Sequence, residues 1–408
     1  MTAICSAGTY LPPWENRDSA IRRVSGPDED ALTMAVCAGR NADPDASATR
    51  VLVVSRDLPL LEGGNGAVLL AGLSLGADVS VTEILGGAPA ALDEIVAAAP
   101  GTLIIGVDDC AGSAGAAAVL TGEQGASVTL RARQNRSLPV VARDRDGARY
   151  EYGDPRMERE VGVRATLGRV GMQSMAGVVA LAGLSAKTLG VSQVMGLAES
   201  PTASSASMIR MLIAAIEGGC DGAVIGMEQS SATVAHLLRG ATRVSRDEPR
   251  SRPLPVVKVT KGTGIPISLA AYARAFDAKL RWEAAVFDEM PGIDCRPQFP
   301  PRLRVGSDGT LAASRRSQPL PRTGVVYSHS TVALSVPDLY SPYSLALVQL
   351  DDCPVRVLVK VTGVPAGEVH IGQPGSIVLR RIAIRSGIPD YGHAFLPAPA
   401  AEHGRDVA

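Results

Sequence analysis

Histidine is scarce in this chain, and where it is missing matters more than how little there is. The five histidines are His236, His329, His370, His393 and His403, so the first 235 residues hold no imidazole. No cysteine lies between Cys37 and Cys110. The six cysteines, Cys5, Cys37, Cys110, Cys220, Cys295 and Cys353, form no CxxC pair, which suits a reducing compartment better than a disulfide framework. Aromatic residues make up only 3%, too few for the stacking platforms of single-strand nucleic-acid binders. A net charge of −1 leaves no electrostatic footprint for DNA or anionic lipid, so neither a nucleic acid nor a membrane is expected as partner. Apolar runs stop well short of the roughly 18 residues of a membrane helix. The opening Met1-Thr-Ala-Ile-Cys-Ser lacks the basic and apolar regions of a secretory signal. These absences together lead us to expect a soluble, cytoplasmic protein.

What is present is Ala, Val, Leu and Gly in alternating short segments. Strands are expected at Arg50–Ser55, Thr102–Val107, Ser127–Arg131 and Gly222–Met227, each short, apolar and flanked by Gly or charge. Helices are expected at Asp28–Arg40, Gly66–Leu75, Ala88–Ala99 and Ala203–Glu217. One order of elements occurs twice. The helix Ala88–Ala99 leads to the strand Thr102–Val107, a loop and the small-residue strand Gly115–Leu120. The helix Ala203–Glu217 leads to Gly222–Met227, a loop and Ser230–Leu238. Residues 1–245 therefore read as an α/β domain of two similar halves. Residues 246–265 are charged and proline-rich, as in a linker. Pro266–Met290 has helical spacing of Ile267, Leu269, Tyr272, Phe276, Leu280 and Trp282, and residues 291–321 have little periodicity. From 322 to 397 the period becomes two, with about five strands separated by turn signals, as in a small all-β barrel. Pro397–Ala408 reads as a tail.

Several stretches resemble known families. Gly8-Thr-Tyr-Leu-Pro-Pro, Gly26-Pro-Asp-Glu-Asp-Ala-Leu-Thr-Met-Ala-Val-Cys-Ala-Gly-Arg, Gly106-Val-Asp-Asp and Tyr152-Gly-Asp-Pro-Arg-Met-Glu-Arg-Glu follow one another as in prokaryotic hydroxymethylglutaryl-CoA synthases. Those belong to the thiolase superfamily, so the resemblance implies a thiolase-like fold of two pseudo-symmetric halves. Phe299-Pro-Pro-Arg302, Gly324-Val-Val-Tyr-Ser-His-Ser-Thr, Leu345-Ala-Leu-Val-Gln-Leu-Asp and Val369-His-Ile-Gly-Gln-Pro-Gly resemble the OB-fold proteins, with an N-terminal helix and zinc ribbon, that accompany thiolases. That second resemblance implies an OB-fold barrel after a ribbon at 266–321, and a role in binding CoA and bridging partner enzymes.

The chemistry the first resemblance implies is missing residue by residue. Acyl condensation takes a Cys nucleophile, a His with an Asn to polarise the thioester, and in these synthases a Glu base. Gly86 or Gly87 falls at the cysteine position, and Arg56 at the glutamate position. Ala and Gly of Met175–Gly183 fall at the histidine position, and Pro201 of Ser200-Pro-Thr at the asparagine position. Relocated groups remain as an alternative: Asp57 as a displaced base, Cys110 as a thiol and His236 as an imidazole. Cys110 follows Asp108-Asp109, and two carboxylates beside a thiolate would suppress it. The ribbon retains Cys295 but has Gly292 and Leu303–Ser307 where further cysteines would be, so no zinc is expected. Arg302, Arg322 and Tyr327 are candidate contacts for a CoA thioester, although the same arginines would suit a solvated basic loop. No cofactor is required by this reading. The expectation is a pseudoenzyme of acyl or polyketide metabolism, forming a homodimer or hetero-oligomer with a catalytically intact thiolase or ketosynthase subunit. The alternative is an active acyltransferase with relocated groups.

Overall fold

A computed structural model describes the chain except residues 17–21, 57, 61–63, 111–112, 136–140, 145, 147, 153, 155, 157–159, 173–174, 190–195, 261–276, 313, 386 and 400–408. The first half runs β1 (Thr2–Tyr10), α1 (Ala31–Ala42), β2 (Arg50–Ser55), α2 (Asn65–Leu73), β3 (Ser80–Leu85), α3 (Ala88–Ala97), β4 (Thr102–Cys110) and β5 (Ser113–Gly122). The second half runs β6 (Ala126–Gln134), α4 (Val163–Arg169), β7 (Val178–Ala182), β8 (Ala198–Ser200), α5 (Ser205–Glu217), β9 (Gly222–Glu228) and β10 (Ser231–Leu238). From one edge, the strands lie β3-β2-β4-β5-β1 and then β6-β10-β9-β7-β8. The second set is the first in mirror order, strand for strand, joined where β1 pairs antiparallel with β6. With β11 (Arg243–Asp247), parallel to β1, the sheet has 11 strands.

The internal repeat therefore continues through both halves, and its packing follows from composition. Helices α3 and α5 share one core with the inner faces of both halves, including Ile4, Leu52, Ile104, Leu212 and Val224. Alanine at Ala88, Ala91, Ala117 and Ala180 lets these layers approach closely. Helices α1 and α2 cover the outer face of the first half, and α4 lies over the second. This doubled sheet around two central helices is the thiolase-like fold. No helix among the described residues is long and apolar enough to cross a membrane.

The expected linker at 246–265 is tied down at several points. Residues 246 and 247 belong to β11, Arg252–Pro253 pairs with Trp14–Glu15, and Lys258–Val259 pairs with Tyr340–Ser341. The single helix expected over Pro266–Met290 is corrected in its second part; residues 261–276 lie outside the described residues. Residues 277–281 are helical, Trp282 takes a left-handed backbone (φ 64°), and β12 (Glu283–Phe287) pairs with β13 (Arg315–Pro319). In the ribbon region, Ser307 N–H donates to Pro291 O at 2.9 Å, so the two loops meet through backbone. Among the described residues, no three His, Cys, Asp or Glu side chains cluster as a metal would require.

The last strands are β14 (Thr323–Val332), β15 (Tyr343–Leu350), β16 (Arg356–Val361), β17 (Pro374–Arg385) and β18 (Ile388–Pro397). They close a barrel in the order β14-β15-β16-β18-β17, with β16 and β18 parallel, which is an OB-fold barrel. Strict alternation along β15 sends Ala346, Val348 and Leu350 into its core.

The barrel is fastened to the thiolase-like domain through Arg380 on β17. Its side chain is 1% exposed and lies 3.5 Å from Glu29 Oε1. It donates to Tyr10 Oη at 2.9 Å and Thr362 Oγ1 at 3.2 Å, and Tyr10 donates in turn to Glu29. Beside it, Tyr391 donates to Asp30 Oδ2 at 2.7 Å, while Asp30 Oδ1 caps α1 through Thr33 N–H. Leu379 and Tyr391 join the core of α1 and α2. Burial raises the Glu29 carboxyl even with Arg380 opposing it.

Removing the guanidinium would strand that carboxylate. Arg380→Met is expected to cost about 3–5 kcal/mol at pH 7. A carboxyl whose folded pKa lies above its unfolded one stabilises the fold at low pH and loses that contribution as pH rises. The penalty should therefore shrink between pH 7 and pH 5, and shrink again in Arg380→Met/Glu29→Gln, by denaturant titration.

Candidate functional site

The N-termini of the central helices α3 and α5 converge where β2, β4 and β9 end. Gly87 is the N-cap of α3, and the first helical N–H, on Ala88, donates to Ala203 O at 3.0 Å. Arg56, just beyond β2, donates to that same carbonyl at 2.9 Å and to Glu228 Oε1 at 2.6 Å. Beneath the pair lies Asp108 on β4, 2% exposed. Its Oδ2 accepts from the Ala206 N–H at 2.9 Å and lies 3.1 Å from Ser205 Oγ, so it serves the positive end of α5. Its Oδ1 has no hydrogen-bond partner among the described residues. Burial raises the Asp108 carboxyl, with the α5 contacts and Arg56 opposing. Burial also raises Glu228; Arg56 opposes that shift and Asp108 adds to it.

The ion pair lies against Gly87, one of the two glycines expected at the cysteine position. A Cβ on Gly87 would lie 2.4 Å from Ala203 O, 2.6 Å from Arg56 Nη2 and 2.9 Å from Glu228 Oε2. At the end of β7, in the stretch expected at the histidine position, Gly183 has φ 97° and a Cβ there would meet Met227 O at 1.8 Å. Neither position has room for a catalytic side chain. The groups that do meet are a guanidinium and two carboxylates, which can hold charge but cannot accept an acyl group at neutral pH through a thiolate.

Of the three relocated candidates, the structure places the side chain of His236 alone. His236 lies half-buried within β10, paired with Ala223, while the ion pair sits at the Glu228–Ser231 end of the same hairpin. Five residues of strand separate them, about 16 Å. Asp57 lies outside the described residues. The backbone of Cys110 ends β4, two residues past Asp108, and its side chain is not among those described. Arg302 is exposed. Tyr327 is exposed on the barrel, with the Arg356 guanidinium 3.8 Å over its ring. Arg322 is apart from both, half-buried where the barrel meets α2. The Arg56–Glu228 pair was not anticipated from sequence; the only signal was Arg56 in place of a carboxylate.

Gly87→Cys is expected to destabilise the fold by roughly 1–3 kcal/mol through overpacking and to yield no condensing activity. Chemical denaturation and thiol labelling check this: native-like stability with a reactive thiol would mean the cradle has room.

Residues 317–380 match the family model described as ChsH2, C-terminal OB-fold domain. No curated protein matches the chain. Among solved structures, 3-oxoacyl-[acyl-carrier-protein] synthase III from Aquifex aeolicus VF5 is similar at 18% identity and TM-score 0.46, covering 59% of this chain and 100% of that one. An HMG-CoA synthase complexed with CoA is similar at 12% identity and TM-score 0.47, covering 59% and 83%. The priming β-ketosynthase of the R1128 polyketide pathway is similar at 18% identity and TM-score 0.45, covering 59% and 97%. By its strand order the chain is a thiolase-like domain joined to an OB-fold barrel, and residues 317–380 of that barrel region are similar to the ChsH2 C-terminal OB-fold family.

Proposed function

We propose that this chain is a non-catalytic member of the acyltransferase class, serving as a subunit beside a catalytically intact thiolase or ketosynthase. The observation that carries the reading is the Arg56–Glu228 pair seated against Gly87. A guanidinium–carboxylate pair lies against a glycine expected at the thiol position, and among the described residues the imidazole of this domain, His236, is at the far end of the β9–β10 hairpin. The fold is retained and the reacting groups are not, which suits a structural role in a complex. The OB-fold barrel, clamped to the first domain by Arg380, would hold CoA or a carrier arm or bridge subunits.

A docking surface is available at the sheet's edge. Strand β3 ends the sheet, with no outer partner among the described residues, and Leu85 is 83% exposed. An open strand edge with an apolar end pairs readily with a strand from a second chain.

Incubated alone with acetyl-CoA or acetoacetyl-CoA, the chain should release no CoA above the uncatalysed rate. Isolated from its native host, it should carry a thiolase-type enzyme with intact Cys and His, identified by mass spectrometry. Leu85→Lys should weaken that association at least tenfold while leaving the thermal midpoint unchanged. Turnover by the chain alone would overturn the reading.

A further inference from the structure

The two domains meet at a second polar cluster, and this one is not electrically balanced. Arg40 closes α1, and Arg322 stands immediately before β14. Both reach Ser74, the C-cap of α2, whose backbone is left-handed (φ 62°). Arg40 Nη1 donates to Ser74 Oγ at 3.1 Å and to Gly72 O at 3.3 Å. Arg322 Nη2 donates to the same Oγ at 3.4 Å, and its Nη1 lies 3.0 Å from His393 Nε2. Arg281 adds a bond to Leu75 O at 2.8 Å.

Every acceptor that Arg40 and Arg322 find here is neutral. Among the described residues neither guanidinium has a carboxylate within salt-bridge distance, whereas Arg380 and Arg381 at the same junction face Glu29 and Asp30. Capping the carbonyl end of α2 accounts for Arg40 and Arg281. It does not account for Arg322, whose partners are a hydroxyl and an imidazole. Burial, with Arg40 adding, pushes Arg322 down to about 9. Burial and then Arg322, Arg40 and Lys279 hold His393 well below its ordinary value, hence neutral. Two half-buried cations aimed at one hydroxyl repel each other until an anion joins them. Ser74 is exposed, so the cluster opens to solvent, and its hydroxyl accepts from both arginines while keeping its own proton to give. A tetrahedral oxyanion would take paired N–H bonds from two guanidiniums and one O–H bond.

We propose that Arg40, Arg322 and Ser74 form a phosphate-binding site at the junction of the thiolase-like domain and the barrel. Its ligand is either free inorganic phosphate or a phosphate of a CoA-type cofactor; only the second identity rests on the function proposed above. A bound phosphate would tie α1, α2 and the barrel together through one group.

The test uses the full chain and inorganic phosphate, with sodium chloride at matched ionic strength. Phosphate should raise the thermal midpoint where chloride does not, and it should move the His393 ring resonances. Arg322→Gln and Arg40→Gln should each bind phosphate at least tenfold more weakly by calorimetry, while Arg322→Lys retains part of the binding. CoA binding that is lost in Arg322→Gln would identify the cofactor as the source. Phosphate binding without CoA binding would support the site and count against the CoA-holding role. Absence of a phosphate-specific shift, or an equal shift in both Gln variants, would overturn the proposal.

Discussion

Arg380 is the constraint on which the two-domain arrangement depends. A guanidinium at 1% exposure is tolerable only where its charge is answered, and Glu29, Tyr10 and Thr362 answer it. Of these, Tyr10 and Glu29 belong to the first domain and Thr362 to the barrel, so the barrel cannot leave without exposing a cation and stranding a carboxylate. Asp30 extends the same logic. One oxygen caps α1 and the other accepts from Tyr391, which couples helix formation to barrel docking. The junction is thus fixed by charge and hydrogen bonding as well as by Leu379 and Tyr391 in the apolar core.

The interior of the thiolase-like domain follows a different economy. Its central helices still bring their positive ends together at the close of β2, β4 and β9, the geometry that favours developing negative charge. Here that field is spent internally. Asp108 takes the N-terminus of α5, and Glu228 with Arg56 closes the mouth beside Gly87. A site that neutralises itself has little left to offer a thioester carbonyl. What the architecture offers around this site is a doubled sheet with an edge strand at β3 and a barrel joined to it through Arg380.

Much of this was legible in the sequence because local pattern and fold agreed. The helix–strand–strand unit appeared twice, and its apolar strands left no alternative to burial on both faces. The alternation of Tyr343–Leu350 specified a half-buried strand, and the switch to period two marked the barrel. Glu283–Phe287 misled, because Ala, Val and Phe in a short run satisfy either period and the deciding feature is the left-handed Trp282. The governing polar contacts were not legible. Arg380 lies in a run that reads as an ordinary outer strand face, and its Tyr10 partner is 370 residues away. Arg56 and Glu228 are 172 residues apart. Tertiary pairing over such distances leaves no local trace, whereas the lack of histidine before His236 and of cysteine between Cys37 and Cys110 is read directly from the sequence.

The most direct test of a thiolase-like domain without a reacting group is covalent. The purified chain would be incubated with acetyl-CoA, propionyl-CoA and malonyl-CoA, quenched in acid and weighed intact, with tryptic peptides mapped for acyl adducts. The expected result is an unmodified mass in every case. A stoichiometric acyl group on any side chain of residues 1–245 would contradict the account.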